Sequence, residues 1–110
     1  MRQSRREAKA QTFKLTEIRE ALISAGFDTT TKQAAALGVG RSTAYALLNL
    51  DKRAGPSATV VRRILSSATL PRRARRKIEE YVEDKIGGRY GHSERRARAF
   101  REVVRISSHR

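Results

Sequence analysis

Four side chains able to read nucleotide bases occur within nine residues of this sequence, at Arg41, Ser42, Tyr45 and Asn49. An arginine fork matches N7 and O6 of guanine, an asparagine amide matches adenine, and a serine hydroxyl bonds to either base. A tyrosine offers its ring to a thymine methyl group or its hydroxyl to a phosphate. Spacings of three, four and seven residues place these side chains on one side of a helix. The pattern predicts contacts with base edges in a DNA major groove.

A second set of residues has the chemistry to hold phosphates, which positions a protein on DNA without reading its sequence. Residues 29–78 contain a single acid, Asp51, among many basic residues, so little in this stretch repels a phosphate. Backbone N–H groups at a helix start near residue 32 also favour an anion. The predicted phosphate contacts are Lys32, Gln33, Thr43, Lys52, Arg53, Arg72, Arg73, Arg75 and Arg76.

The first thirteen residues are basic, carry little apolar content and hold one acid, Glu7. We interpret residues 1–13 as a mobile arm in which Arg2, Arg5 and Arg6 lie along phosphates or enter a minor groove when DNA binds. An unstructured, solvated terminus with no role in binding is the alternative.

Residues 31–50 must position the base-reading side chains, and their pattern predicts two short helices joined by a tight turn. Three consecutive alanines from Ala34 favour the first helix. Gly38 can adopt the left-handed conformation that ends it. In the second helix Ala44, Leu47 and Leu48 form the apolar face, with the base-reading residues on the opposite side. Small residues let the two helices cross closely at a steep angle, as in a helix-turn-helix.

This stretch resembles a known family. Ala34, Gly38, Val39, the Arg-Ser-Thr run at 41–43 and Leu47 are similar to the helix-turn-helix signature of the lambda repressor and Cro superfamily, also called the XRE type. The resemblance covers residues 14–68. Ala44 departs from the pattern, in which that inward position usually carries a larger Val or Ile. Residues 34–45 also resemble the C-terminal helix-turn-helix of Fis-type regulators. Both families bind DNA, so the resemblance implies a DNA-binding protein.

Four further helices are predicted around this pair. The first spans residues 16–25, capped by Thr16, with Ile18, Ala21, Leu22 and Ala25 inward, and Thr30 or Thr31 caps the next. Ser57 caps a helix with Val60, Val61, Ile64, Leu65 and Ala68 inward. Another helix spans residues 71–86, where Arg75 with Glu79 and Arg76 with Glu80 have the spacing of ion pairs. Its apolar face comprises Ala74, Ile78, Tyr81, Val82 and Ile86. Ser93 caps the last helix.

These elements predict a compact all-α domain of five to six helices with a lambda-repressor-like helix-turn-helix and two additional C-terminal helices. Its parts are the basic arm at 1–13, a DNA-binding core at 14–69 and a C-terminal helical pair at 70–110. We consider two roles for Phe100, Val103 and Val104. They complete the core of one molecule, or they form a dimer seam, since paired recognition helices commonly read a two-fold site.

Composition excludes several other classes. The formal charge of +14 and the pI near 11.5 indicate a polyanionic partner. The chain has no cysteine and no apolar run of membrane-spanning length, so a cytoplasmic protein is expected. His92 and His109 lack carboxylates at ligand spacing, and no acid pair has the apolar surroundings of a catalytic site. We expect no enzyme activity, metal, cofactor or small-molecule ligand.

As the resemblance implies, we expect a sequence-specific transcriptional regulator, more often repressor than activator, that binds double-stranded DNA as a homodimer. Two alternatives stay open. One is a nucleoid-associated, architectural protein with little sequence preference, and the other is the antitoxin of a toxin-antitoxin pair. RNA is the least favoured partner, because six aromatic residues provide no stacking platform for exposed bases.

Overall fold

Apolar residues recur every three or four positions along most of the chain, and in the computed structural model this pattern folds into helices. The structure describes residues 4–49, 55–91 and 94–108. Its helices are α1 (Arg5–Ser24), α2 (Thr30–Leu37), α3 (Arg41–Asn49), α4 (Ala58–Leu65), α5 (Arg72–Ile86) and α6 (Glu94–Ser108). None of the three described ranges contains a strand, so the predicted all-helical class is confirmed. No helix in them has the length and apolar character needed to cross a bilayer.

Helix α1 begins much earlier than its sequence suggested. The Ser4 side chain accepts a hydrogen bond from the Glu7 backbone, and the Glu7 carboxylate accepts one from the Ser4 backbone at 2.8 Å. This reciprocal cap starts the helix at Arg5. The prediction of a mobile arm is therefore wrong for residues 5–13, which are helical. Thr16 does not cap the helix either, since its hydroxyl donates to the Thr12 carbonyl within it.

Helix α1 packs along α5 and also touches α3. Its buried face consists of Gln11, Leu15, Ile18, Ala21 and Leu22, whereas Ala25, predicted to be inward, is exposed. At the rim of this contact, Lys14 Nζ lies 2.7 Å from Glu80 Oε1, and Lys77 Nζ lies 3.3 Å from Glu17 Oε2. The hydrogen bond from Lys14 lowers the pKa of Glu80. The sequence spacing had predicted an ion pair between Glu80 and Arg76. Glu80 instead pairs with Lys14 of α1.

The turn between α2 and α3 depends on Gly38. Its φ of 72° is left-handed, and its N–H donates to the Ala34 carbonyl at 2.9 Å, which ends α2. A Cβ at this position would lie 3.2 Å from Cβ of Ser67. Glycine is thus favoured twice, by backbone angle and by space. The Gly40 carbonyl then accepts the first helical hydrogen bond of α3, from Ala44.

The loop between α4 and α5 is bonded to the end of α2. Ser67 Oγ donates to the Ala36 carbonyl at 2.7 Å, and Thr69 Oγ1 donates to the Ala35 carbonyl at 3.1 Å. Arg75 donates to the Leu65 carbonyl at 2.9 Å and to the Ser67 carbonyl at 3.3 Å, so it does not form the ion pair expected with Glu79. Carbonyls at the ends of two helices are thereby satisfied by side chains. These bonds attach the start of α5 to the α2–α3 pair.

Helix α6 packs on α4 and α5 through a cluster of aromatic residues. The Tyr81 and Tyr90 rings stack with centroids 5.6 Å apart, and Phe100 meets Tyr81 edge-on at 6.0 Å. Phe100 and Val103 are each 3% exposed and belong to the core of one molecule. The dimer seam predicted through these two side chains is therefore wrong, because both are already covered. Val104, the third residue of that seam, is 43% exposed.

The Lys85 side chain is buried inside this aromatic cluster. It is 2% exposed, and its Nζ lies 5.7 to 5.9 Å from the ring centroids of Tyr81, Tyr90 and Phe100. The electron-rich ring faces stabilise an ammonium group at this distance. Burial, followed by the charge of Arg96, nevertheless lowers the pKa of Lys85 to about 7.

Candidate nucleic-acid interface

Helix α3 exposes all four of the predicted base-reading side chains. Arg41, Ser42 and Asn49 are exposed, and half of the Tyr45 surface is accessible. Within the part of the chain that the structure describes, none of these side chains forms a hydrogen bond or ion pair. Their donors and acceptors are therefore available to an external ligand. One guanidinium, one amide and two hydroxyl groups thus lie on a single side of a nine-residue helix.

The opposite side of α3 fixes the helix in the molecule. Ala44 is fully buried, and Leu47 and Leu48 are 7% and 6% exposed. This face packs against α2 and α1. The small Ala44 side chain therefore sits in a closed contact. Helix α3 is held by its buried face and carries its polar groups outward, so these side chains are accessible without rearrangement of the core.

Two phosphate contacts were predicted at the start of α2, Lys32 and Gln33, and only Lys32 is accessible. Lys32 is exposed, and its Nζ lies 3.2 Å from the Asp28 carboxylate in a pair that water surrounds. Such an exposed pair is weak, so a phosphate can replace the carboxylate. Gln33 is different. It is 4% exposed and donates through Nε2 to the Phe27 carbonyl at 3.0 Å. The prediction that Gln33 contacts a phosphate is wrong, because its amide holds the preceding loop. Thr29, rather than Thr30 or Thr31, caps α2.

The start of α5 divides into exposed and structural arginines. Arg72, Arg73 and Arg76 are exposed and line an open groove between α1 and α5. Glu17 and Glu20 line the same groove, so its charge is mixed rather than uniformly basic. Arg75 is half-buried and donates to the two carbonyls at the end of α4. The assignment of Arg75 as a phosphate contact is therefore wrong.

The remaining predicted site residues fall into two groups. Thr43 on α3 and Arg5 and Arg6 on the first turn of α1 are exposed. Arg2, Lys52 and Arg53 lie outside the described residues, as do His92, His109 and the expected cap Ser93. Among the residues that the structure describes, no three His, Cys, Asp or Glu side chains come together as a metal site would require.

Two buried polar residues are absent from the sequence-based interpretation. Gln11 is fully buried and accepts a hydrogen bond from the Tyr81 hydroxyl at 3.3 Å. Lys85 occupies a position seven residues after Ile78 on the inward face of α5. Tyr90, which lies between Gly88 and Gly91, is buried beside it and donates to Asp84 Oδ2 at 2.7 Å. The period of the α5 stripe, extended through Lys85, was the signal that could have revealed the lysine.

Comparison of the chain with protein-family models, with curated protein sequences and with solved structures gives no match.

Proposed function

We propose that this protein is a sequence-specific DNA-binding transcriptional regulator that inserts α3 (Arg41–Asn49) into the major groove. The observation that carries the proposal is the division of α3 into two faces. Ala44, Leu47 and Leu48 are buried, and the polar side chains on the other face have no partner within the described chain. A helix in the major groove uses such side chains to bond to base edges.

The resemblance to the lambda repressor and Cro superfamily supports the same assignment. Gly38 is one of the residues on which that resemblance depends, and it has the left-handed conformation that such a turn requires. The others are Ala34, Val39, the Arg-Ser-Thr run at 41–43 and Leu47. In this proposal Arg41 bonds to guanine, Asn49 to adenine, and Ser42 to either base. Tyr45 contacts a thymine methyl group or a phosphate.

Phosphates on either side of α3 would be held by exposed residues of neighbouring elements. Lys32 at the start of α2 and Thr43 on α3 are the nearest candidates in the chain. Arg72 and Arg73 follow, because the loop before them is bonded to the end of α2 through Ser67. These contacts add affinity but no base preference, so they are expected to weaken with salt.

The test is selection of bound sequences from a random pool of DNA duplexes, first with the unaltered protein and then with Arg41→Ala. We expect one enriched motif, and a loss of about 1 to 3 kcal/mol in binding to it when Arg41 is replaced, with relaxed selection at one base pair. Arg19→Ala is the matched control, since Arg19 is an exposed arginine on α1. It should change neither the motif nor the affinity by a comparable amount.

Two outcomes would contradict the proposal. If no motif is enriched, the low-specificity architectural alternative takes its place, and the strong positive charge of the chain favours that alternative. If Arg41→Ala weakens binding to the motif and to random DNA equally, Arg41 is a phosphate contact. A palindromic motif would indicate two copies on DNA, held by contacts other than Phe100 and Val103, which are buried in one molecule.

A further inference from the structure

A row of arginines covers the outer side of α6. Arg95, Arg98, Arg101 and Arg105 are all exposed, at spacings of three or four residues, opposite the buried side that holds Phe100. Spacings of this kind bring residues to one side of a helix. The ten helical steps from Arg95 to Arg105 correspond to a length of about 15 Å. The outer side of α6 is thus a straight basic edge.

Helix α4 adds to this edge and carries no acid. It contains Arg62 and Arg63, both exposed, and it packs directly against α6. The pKa of Glu102 on α6 is lowered mainly by the hydrogen bond from Arg105. The positive charge of Arg62 lowers it further. Arg62 therefore lies beside the basic edge. We call Arg62, Arg95, Arg98, Arg101 and Arg105 the α6 edge.

The acids on α6 neutralise only part of the edge. Glu94 pairs with Arg101 at 2.7 Å, and Glu102 pairs with Arg105. All four of these side chains are about half exposed or more, so both pairs contribute little to stability and a phosphate can displace the carboxylates. Arg95 and Arg98 form no ion pair within the described part of the chain. After the hydrogen bond from Arg101, the charge of Arg98 also helps to lower the pKa of Glu94. An edge with at least two unpaired guanidinium groups, and two more in weak pairs, attracts a polyanion.

The composition of the α6 edge fits DNA better than it fits an acidic protein. Protein interfaces are built around a buried cluster of aromatic and other apolar side chains, to which arginine is commonly added. On α6 the only large apolar side chain that is exposed, among the residues described, is Val104. The centre of the α6 edge consists of arginines, whose planar forks match phosphate oxygens. A DNA strand presents a phosphate about every 3.4 Å, so a 15 Å edge meets several of them.

The α6 edge and α3 are supported by different parts of the molecule. Helix α3 packs on α1 and α2, whereas α6 packs on α4 and α5. We propose that the α6 edge is a second DNA-binding surface, which holds the phosphates of a second duplex segment without reading its bases. This surface goes beyond the proposed function and does not require α3 to be sequence-specific. A single molecule then links two segments of DNA.

The experiment uses the full chain bound to one immobilised duplex, to which a fluorescent second duplex of unrelated sequence is added. The test variant is Arg62→Gln, Arg95→Gln and Arg98→Gln together. The control is Lys9→Gln, Arg19→Gln and Arg89→Gln, which removes the same charge from exposed positions elsewhere. Thermal unfolding first establishes that both variants fold. Light scattering of the complex on a short duplex gives the number of protein copies.

We expect the unaltered protein and the control to retain the second duplex with one protein copy per first duplex. The test variant should retain it at least tenfold less at 150 mM salt, while its binding to the first duplex is unchanged. The plot of log affinity for the second duplex against log salt should become less steep by about 2 to 3, since each phosphate contact contributes about 0.9.

Three results would overturn the α6 edge as a DNA surface. The unaltered protein retains no second duplex, or the test variant and the control behave alike, or polyglutamate competes as well as DNA at equal charge. The last result would assign the edge to an acidic protein. A separate Arg41→Ala variant tells this proposal apart from the proposed function, because it should lose site preference on the first duplex and still retain the second.

Discussion

The Tyr81 hydroxyl donates to Oε1 of Gln11 at 3.3 Å and thereby joins α5 to the first half of α1, across 70 positions of sequence. Gln11 has no exposed surface and Tyr81 has 1%. The same hydroxyl lies 3.5 Å from the Pro56 carbonyl, so three separate segments meet at this point. A buried amide and hydroxyl satisfy each other here, which makes the start of α1 part of the core.

Gly55→Ala should destabilise the protein because the added methyl group would crowd the hydrogen bond between Tyr81 and Gln11. An added Cβ would lie 2.6 Å from the Tyr81 hydroxyl and 2.9 Å from Gln11 Oε1, at a residue whose φ is +68°. The left-handed conformation alone costs a non-glycine residue about 1 to 2 kcal/mol. We expect a loss of at least that size in the free energy of unfolding, measured with urea. Gly40→Ala is the control, since a Cβ there meets nothing within 4 Å. Equal losses in the two variants would contradict the crowding seen at Gly55.

Replacing Arg75 and Arg72 should separate a structural arginine from a binding one. Arg75→Ala removes the donors to the Leu65 and Ser67 carbonyls, so urea unfolding should show a loss of about 1 to 3 kcal/mol. Arg72 is exposed, so Arg72→Ala should leave stability within about 0.5 kcal/mol. It should instead reduce the salt slope of DNA binding by about 1. If Arg75→Ala instead leaves stability unchanged and reduces the salt slope, Arg75 is a phosphate contact.

The stability of the protein should rise with pH between about 7 and 9 because of Lys85. Below pH 7 the amine is charged in both the folded and unfolded states, and the full penalty of burying it is present. Since its folded pKa is about 7 and its ordinary value is 10.5, the unfolded state binds more protons between these values. The free energy of unfolding therefore increases with pH in that window. Measurements stop at pH 9, before the unfolded tyrosines ionise.

Lys85→Met tests the origin of this rise. Relative to the unaltered protein, the variant should be most favoured at pH 6 in urea unfolding, because the unaltered protein there carries the full penalty of burying the ammonium group. It should also lose the increase between pH 7 and 9. Lys9→Met, at an exposed position on α1, should retain the increase. A variant at Lys85 that keeps the full pH dependence would place the titrating group elsewhere.

Phe100→Ala distinguishes a core residue from a dimer seam. The side chain is 3% exposed within one molecule, so its loss should lower the free energy of unfolding by about 3 to 5 kcal/mol. Val104→Ala should have a much smaller effect, because Val104 is 43% exposed. Unfolding with urea and light scattering together make the test. If Phe100→Ala is fully stable but turns a dimer into a monomer, Phe100 is a dimer contact rather than a core residue.

Much of the fold follows from local sequence. The helical pair α2 and α3, its turn at Gly38 and the Ser57 cap of α4 lie where the sequence predicted them, because each depends on residues close together in the chain. The start of α1 could also have been predicted from the sequence, since Ser4 and Glu7 have the spacing of a capping box. The low apolar content of that segment concealed it.

The parts that the sequence did not reveal depend on contacts between one element and the next. Gln33, Arg75 and Lys85 are polar residues that composition assigns to the surface. Gln33 nevertheless bonds to the loop before α2, Arg75 bonds to the end of α4, and Lys85 is buried among aromatic rings. Phe100 and Val103 have the same pattern in a core and in a dimer interface, so only the packing of α6 on α5 decides between them. Exposure of α3 was predictable because its two faces differ in polarity.

The close approach of Gly38 and Ser67 limits how this chain can vary. A larger residue at position 67 would crowd the turn even if glycine is kept at position 38. A small residue at position 67 would still not allow a side chain at position 38, because φ there is 72°. Two sites 29 residues apart are therefore subject to one joint restriction on size. A larger side chain at position 67 thus acts on the turn that leads into α3 without altering a residue of that helix.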